Sequence, residues 1–207
     1  MTAAQIADYG YSDAEAPWAD AYLWPAVERL LHPAASVGGR AFDLGCGNGA
    51  LTARLAGYGF ETIGVDPSES GIVAARKAYP SLTFEVGSSD DPLAKRFGQF
   101  ELVISLEVIE HCIHPWYFGQ TVFGLTKPSG TAIISTPYHG YAKNLALSLA
   151  NRWDKHLDPF WVGGHIKLFS PSTLTHLLKA VGFSSVSIHR IGRIPPLAKS
   201  MIAVAKR

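Results

Sequence analysis

Short runs of consecutive apolar residues, separated by segments of helical patterning, organise the chain up to about residue 135. The runs are Arg40–Leu44, Phe60–Val65, Leu82–Val86, Phe100–Leu106 and Gly130–Ser135, and each is apolar on both faces instead of alternating. Strands of that kind belong inside a parallel sheet covered by helices on both sides. Between them, segments 49–57, 68–78, 91–97 and 115–126 read as helices. Pro67-Ser68 marks the start of the second helix, and Pro115 suits the first turn of the last, where its missing donor costs nothing. The alternation predicts an α/β fold, a doubly wound parallel sheet with right-handed crossovers.

Beyond residue 135 the alternation stops. Residues 138–165 form an insert rich in aromatics and histidines. Ser170-Pro171-Ser172 then caps a helix to about Ala180, and Gly182 ends it. Phe183–His189 and Ser200–Ala205 read as two last strands joined by Pro195-Pro196; for Leu197–Arg207 a final strand is preferred to a basic amphipathic anchor. Residues 16–33, with Trp18, Tyr22, Trp24, Val27, Leu30 and Leu31, suggest a helix ahead of the sheet, so that 1–37 forms a helical cover on a single domain spanning 1–207.

The 207 residues are 47% hydrophobic and 17% charged, enough apolar material for one full core. With 18 basic and 17 acidic residues the net charge is +1, which disfavours a nucleic-acid partner. No apolar run reaches the ~20 residues that span a bilayer, and Met1 to Pro17 lacks the apolar centre of a secretion signal. Cys46 and Cys112 do not suggest a structural disulfide, so a reducing cytoplasm is the expected location.

The segment Phe42-Asp43-Leu44-Gly45-Cys46-Gly47-Asn48-Gly49 carries a strand into a glycine-rich turn, and the following strand ends in an acid, Asp66. Glycines allow a sharp turn and close approach of backbone to ligand, and the acid can accept both hydroxyls of a ribose. The spacing is Gly-x-Gly-x-Gly, not the Gly-x-Gly-x-x-Gly of dinucleotide binders, and no Gly-Lys-Ser/Thr follows for a triphosphate. A ligand with a ribose but no pyrophosphate fits better, and S-adenosylmethionine (SAM) is the obvious one.

These pieces, together with Phe100–Ser105, resemble the first, second and fourth motifs of class I SAM-dependent methyltransferases, over roughly residues 38–206. The resemblance implies a Rossmann-like seven-stranded sheet of order 3-2-1-4-5-7-6 with the last strand antiparallel and an insert after strand 5. It also implies SAM as cofactor. Gly45 and Gly47 would pass its methionyl and ribose parts, Asp66 would hold the ribose diol, and Ser88 and Ser89 would meet the adenine edge. Leu106 would pack on the adenine or the sulfonium flank, and Asp43 would orient the glycine loop.

The fourth strand runs into Glu107-Val108-Ile109-Glu110-His111-Cys112. In a helical turn, positions 107, 110 and 111 are i, i+3 and i+4 and share one face. Two carboxylates and an imidazole there make a divalent-metal half-site, and His165, which closes the insert, is the best candidate for a distant ligand. The combination is similar to UbiG-type O-methyltransferases of ubiquinone biosynthesis and to plant-type small-RNA 2′-O-methyltransferases. That resemblance implies Glu107, Glu110, His111 and His165 as metal ligands, with Glu107, Glu110 and His111 the catalytic group. Mg²⁺ or Mn²⁺ suits a carboxylate-rich site, and Zn²⁺ suits one in which both histidines bind. A metal would favour O-methylation, since a hydroxyl needs help to lose its proton, to His111 or His114, whereas an amine does not. Two rival readings stand beside it: metal-independent N- or C-methylation with His111 as base, and a SAM-binding module without catalysis.

In the insert, Tyr138-His139-Gly140-Tyr141, Trp153, Phe160 and Trp161 surround the amphipathic stretch 142–152. They predict a mobile lid over a small-molecule acceptor, catechol-like or lipid-linked, with peripheral membrane contact as its route of delivery.

Overall fold

Each apolar run becomes a strand: β1 (Gly39–Leu44), β2 (Phe60–Asp66), β3 (Thr83–Val86), β4 (Phe100–Leu106) and β5 (Thr126–Pro137). The computed structural model describes Tyr11, Asp13 and residues 20–35, 39–161 and 164–207. Trp18 and most of the expected N-terminal cover lie outside the described residues. Helices α1 (Asp20–Ala35), α2 (Ala50–Gly57), α3 (Glu69–Ala78), α4 (Leu93–Phe97) and α5 (Pro115–Leu125) precede or connect these strands. The insert holds α6 (Tyr141–Leu149) and α7 (Trp153–Leu157); α8 (Pro171–Ala180), β6 (Ser185–Ile191) and β7 (Ser200–Lys206) complete the chain.

The strands form one sheet of order β3-β2-β1-β4-β5-β7-β6, in which β7 runs antiparallel to both neighbours. This is the expected architecture. The segment 197–207 is no anchor, since β7 is buried from Ser200 to Ala203. Several boundaries moved, most by a residue or two. β5 begins at Thr126 instead of Gly130, because the chain passes straight from α5 into pairing with Phe100 and then bulges before Leu102 meets Thr131. β6 starts at Ser185.

Neighbouring residues of a strand supply opposite faces, as the period of two demands. Ala41, Leu102, Ile104, Ile133 and Ile202 pack with Leu23, Val27 and Leu31 of α1. Phe42, Leu44, Val103, Ile134 and Met201 pack instead against Phe118 and Val122 of α5 and Leu174, Leu177 and Leu178 of α8. With both faces covered, each fully buried Leu, Ile or Phe contributes about 1.5–3 kcal/mol. The rigid centre of this sandwich holds the carboxyl ends of β1, β2, β4 and β5 in register, where open α/β sheets place ligands.

Candidate functional site

At the end of β1 the chain turns through Gly45, Gly47 and Gly49, with φ of 82°, 52° and 81°. That left-handed region is costly for any residue with a Cβ. Space forbids one as well: a Cβ on Gly45 would stand 2.3 Å from Val108 Cγ2. The amides of Gly45 and Cys46 both donate to the carbonyl oxygen of Val65, stitching the loop to β2 (2.7 and 3.1 Å). Asp66 completes the stitch, its Oδ2 accepting from Gly47 N and its Oδ1 from Ser68 N, each at 2.8 Å. The buried Asp66 therefore sits in contact with the glycine turn, as a residue that holds a ribose beside that turn must. Asp43 is fully buried and its Oδ2 accepts from Thr52 Oγ1 of α2 at 2.7 Å, which ties the strand to the helix that follows the loop.

Ser88 and Ser89 lie in the loop after β3, half-buried, and Gly87 N donates to the Asp66 carbonyl oxygen, so the loop borders the same turn. Leu106 ends β4, partly covered by the apolar cluster under α1. Sequence reasoning missed Tyr11. Its amide donates to Ser70 Oγ, and its hydroxyl lies 2.6 Å from where a Cβ on Gly47 would be, so it stands over the glycine loop. Asn48 Nδ2 donates to the Asp13 carbonyl oxygen and fixes the same segment. Nothing in the local pattern around Tyr11 announces that role.

After β4 the helical turn expected over 107–111 does not form as one unit. Glu107 has φ 55°, in the left-handed region, and only Ile109–His111 makes a 3₁₀ turn. The i, i+3, i+4 face therefore loses its first member. Glu107 Oε1 accepts from Ser135 Oγ at 2.8 Å and Oε2 from Ser200 Oγ at 3.2 Å. Tyr22 Oη lies 3.0 Å from Ser200 Oγ; because that serine donates to Glu107, the tyrosine donates to the serine. Burial raises the pKa of Glu107 despite these bonds.

Glu110, His111 and His165 do come together, with one ligand atom from each lying within 4.8 Å of the others. The distant histidine is delivered by backbone hydrogen bonds. The Glu110 carbonyl oxygen accepts from Ile166 N and Lys167 N, each at 3.0 Å, clamping the end of the insert onto the 3₁₀ turn. His111 Nδ1 lies 3.1 Å from the Gly164 carbonyl oxygen, which can only accept, so Nδ1 carries the proton and Nε2 is left as a base or ligand nitrogen. Glu110 is fully buried, and neither carboxylate oxygen has a hydrogen-bond partner among the described residues. Burial, and then the charge of Glu107, push its pKa well above the usual carboxylate range. Burial, and then His111, lower that of His165 to about 4, so its imidazole is neutral at pH 7. His114 is exposed against Tyr117, outside this group, and Cys112 turns its thiol to Ser89 at 3.7 Å.

A cavity of about 560 Å³ opens beside the group, bounded by α6, Pro137 and the approach to β7. Glu107 and His165 both line it. The carboxyl ends of the strands thus carry the glycine loop with Asp66 beyond β1 and β2, and the cavity beyond β4 and β5. A family model described as a methyltransferase domain matches residues 17–188. The chain belongs to the SAM-dependent methyltransferases. Among curated relatives, the methyltransferase is 31% identical over 154 residues to the ubiquinone biosynthesis O-methyltransferase of Azorhizobium caulinodans, covering 64% of this chain and 60% of that one. The chain thus spans less than two thirds of that relative's length. Of solved structures, the PH0226 protein of Pyrococcus horikoshii OT3 superposes with a TM-score of 0.72 at 22% identity, over 95% of this methyltransferase and 94% of that chain. The magnesium protoporphyrin IX methyltransferase of Synechocystis PCC 6803, solved with bound S-adenosylhomocysteine, gives 0.66 at 17% identity over 95% and 90%. Among the described residues of the methyltransferase no helix is long and apolar enough to cross a membrane.

Proposed function

We propose that the enzyme methylates the oxygen of a small hydroxylated acceptor, catechol-like or lipid-linked, with a divalent cation held by Glu110, His111 and His165. The observation that carries this is Glu110: a fully buried carboxylate with both oxygens unpartnered among the described residues, grouped with two imidazoles. Such a carboxylate is costly unless something charged satisfies it. The donor set of one carboxylate and two neutral nitrogens fits Zn²⁺, and also Mg²⁺ or Mn²⁺ where water completes the shell. When bound, such a cation supplies the Lewis acidity that eases loss of the acceptor's proton.

The chain's own residues do the rest. The glycine loop and Asp66 would hold SAM at the carboxyl ends of β1 and β2. Transfer is an in-line displacement in which the acceptor oxygen attacks the sulfonium methyl and S-adenosylhomocysteine leaves. Glu107, half-buried and with a pKa that burial raises, lies on the cavity wall and would take the acceptor's proton, while His111 Nε2 would serve the cation. The insert lies over the cavity as a lid. Tyr141, Leu145 and Leu149 form an exposed i, i+4, i+8 stripe on α6, which supports peripheral contact with a lipid surface. Similarity to ubiquinone O-methyltransferases supports an oxygen acceptor.

A second reading, metal-independent N- or C-methylation with His111 as base, is favoured by the oriented Nε2 of that residue. Methyl transfer from labelled SAM to catechols, alcohols and amines, with and without EDTA, separates the two. Catechol turnover abolished by EDTA and restored by one of the three cations is expected. Chelator-insensitive transfer to amines would overturn the proposal.

A further inference from the structure

The cavity beside β4 carries more positive charge than methyl transfer to a hydroxyl requires. Lys143, Arg152, Lys155, Arg193 and Lys199 line it, against a single acid, Glu107. In a chain whose 18 basic and 17 acidic residues nearly balance, this is a pronounced segregation onto one concave surface. Glu107 attracts Lys143 and its oxygens accept from Ser135 and Ser200, so one carboxylate stands against five cations on this wall. Among the described residues, Lys143, Arg152, Lys155 and Arg193 make no ion pair with an acid. Outside the cavity, Arg76 and Arg96 share Glu85, and Lys127 meets Glu101.

Lys143 and Lys199 are half-buried, and Arg152, Lys155 and Arg193 stand at the solvent side. Lys143 Nζ donates to the Lys199 carbonyl oxygen at 3.1 Å, which fixes its ammonium at the wall between α6 and the approach to β7. Burial lowers the Lys143 pKa to about 8, with Glu107 opposing the shift and Arg193 adding to it. These cations converge from three separate segments, 143–155, 193 and 199, and mutual repulsion opposes that convergence unless an anion sits among them. The neighbouring stripe of Tyr141, Leu145 and Leu149 is exposed on α6 and lies outside the cavity lining, apart from the cations. A membrane surface would meet that stripe, whereas a concavity takes a group that enters it.

We propose that the cavity binds an oxyanion, phosphoryl or carboxylate, carried by the acceptor itself, so that the substrate is a hydroxylated compound anchored by its anionic end with its hydroxyl turned to Glu107 and His165. The assignment rests on the hydroxyl-acceptor reading above. It makes Lys143 and Arg193 specificity-determining residues.

The test titrates phenyl phosphate, benzoate and phenol calorimetrically into the full chain saturated with S-adenosylhomocysteine. At least one of the two anions should bind roughly tenfold or more tightly than phenol, and the tighter of the two identifies the group. Lys143→Gln should weaken that binding about ten- to hundredfold, and Arg193→Gln by about tenfold. Arg193→Lys should recover most of the loss, and affinity should fall with added salt. S-adenosylhomocysteine affinity, unaltered in each variant, shows that the fold is intact. Equal affinity for phenol and both anions, or anion binding indifferent to both substitutions, overturns the proposal. Variants that shed anionic vesicles but keep phenyl phosphate and benzoate at wild-type affinity would overturn it too, by assigning the cations to a lipid surface. If no hydroxyl compound is methylated while anion binding still depends on Lys143, the hydroxyl reading fails and the anion site stands.

Discussion

Glu110→Met removes a carboxylate that is fully buried and whose two oxygens find no hydrogen-bond partner among the described residues, while roughly keeping its volume. In metal-free protein, burying such an unpaired carboxyl costs about 1–3 kcal/mol. The variant should therefore be the more stable protein in EDTA. At this chain length each kcal/mol moves Tm by about 2–4 °C, which scanning calorimetry resolves. A divalent cation acts in the opposite sense. Wild type should gain about 2.7 kcal/mol at a cation concentration 100-fold above Kd and about 4.1 kcal/mol at 1,000-fold. The variant lacks the only carboxylate of the cluster and should gain little. The two melting curves should close and then cross as Zn²⁺, Mn²⁺ or Mg²⁺ is added, and methyl transfer should be lost in the variant throughout. A wild type whose Tm ignores all three cations, beside a Glu110→Met protein that still methylates, would refute the argument from the orphaned carboxylate.

Asp66→Ala takes away the acceptor expected for the ribose diol and also frees the amides of Gly47 and Ser68, so S-adenosylhomocysteine affinity measured by calorimetry should fall about ten- to hundredfold. Gly45→Ala combines a φ of 82° with a Cβ only 2.3 Å from Val108 Cγ2; urea denaturation should show a loss of about 1–3 kcal/mol together with weaker cofactor binding. The bond from Lys127, then that from Arg40 N, holds the Glu101 carboxyl at about 2, below its unfolded value, so its stabilisation is full above that unfolded value near pH 4.3 and is lost as pH falls towards 2. Because about a third of this pair is exposed, the effect should amount to about 1 kcal/mol, and urea midpoints of Glu101→Gln should fall less steeply than wild type between about pH 4.5 and 2.

The sheet was legible because its information is local. Runs such as Leu102-Val103-Ile104 state burial on both faces, and Gly45, Gly47 and Gly49 require positive φ whatever surrounds them. Asp66 was legible for the same reason, as a strand-end acid beside a glycine turn. The acceptor side was legible only in part. His165 could be named from its place at the end of the insert, but the clamp that delivers it, two amides on the Glu110 carbonyl oxygen, leaves no mark on the residue pattern. Ser135 and Ser200 could not be found at all. They meet Glu107 because β7 turns antiparallel beside β5, a pairing made across the sheet. The cationic wall was missed because Lys143, Arg193 and Lys199 sit on different elements, and a balanced total charge hides a local excess.

The left-handed backbone at Glu107 explains why two carboxylates so close in sequence have different surroundings. A continuous helical turn would have aimed both at the histidines. With φ at 55°, Glu107 instead points to the hydroxyls of Ser135 and Ser200, which satisfy both its oxygens, and it reaches the cavity wall. Glu110 stays one turn deeper, unsatisfied, and its pKa is raised further by Glu107. Two buried acids in such proximity cannot both ionise cheaply near pH 7. A cation held by Glu110, His111 and His165 would lower the cost for both, leaving Glu107 ionised and able to receive a proton from the acceptor. On the function proposed above, the left-handed residue would convert what would be a pair of equivalent ligands into one ligand and one base. The same reasoning gives this arrangement a built-in dependence on metal: without the cation the protonated form of the pair is favoured, and Glu110, fully buried with no hydrogen-bond partner among the described residues, is the group whose charge the site can least support.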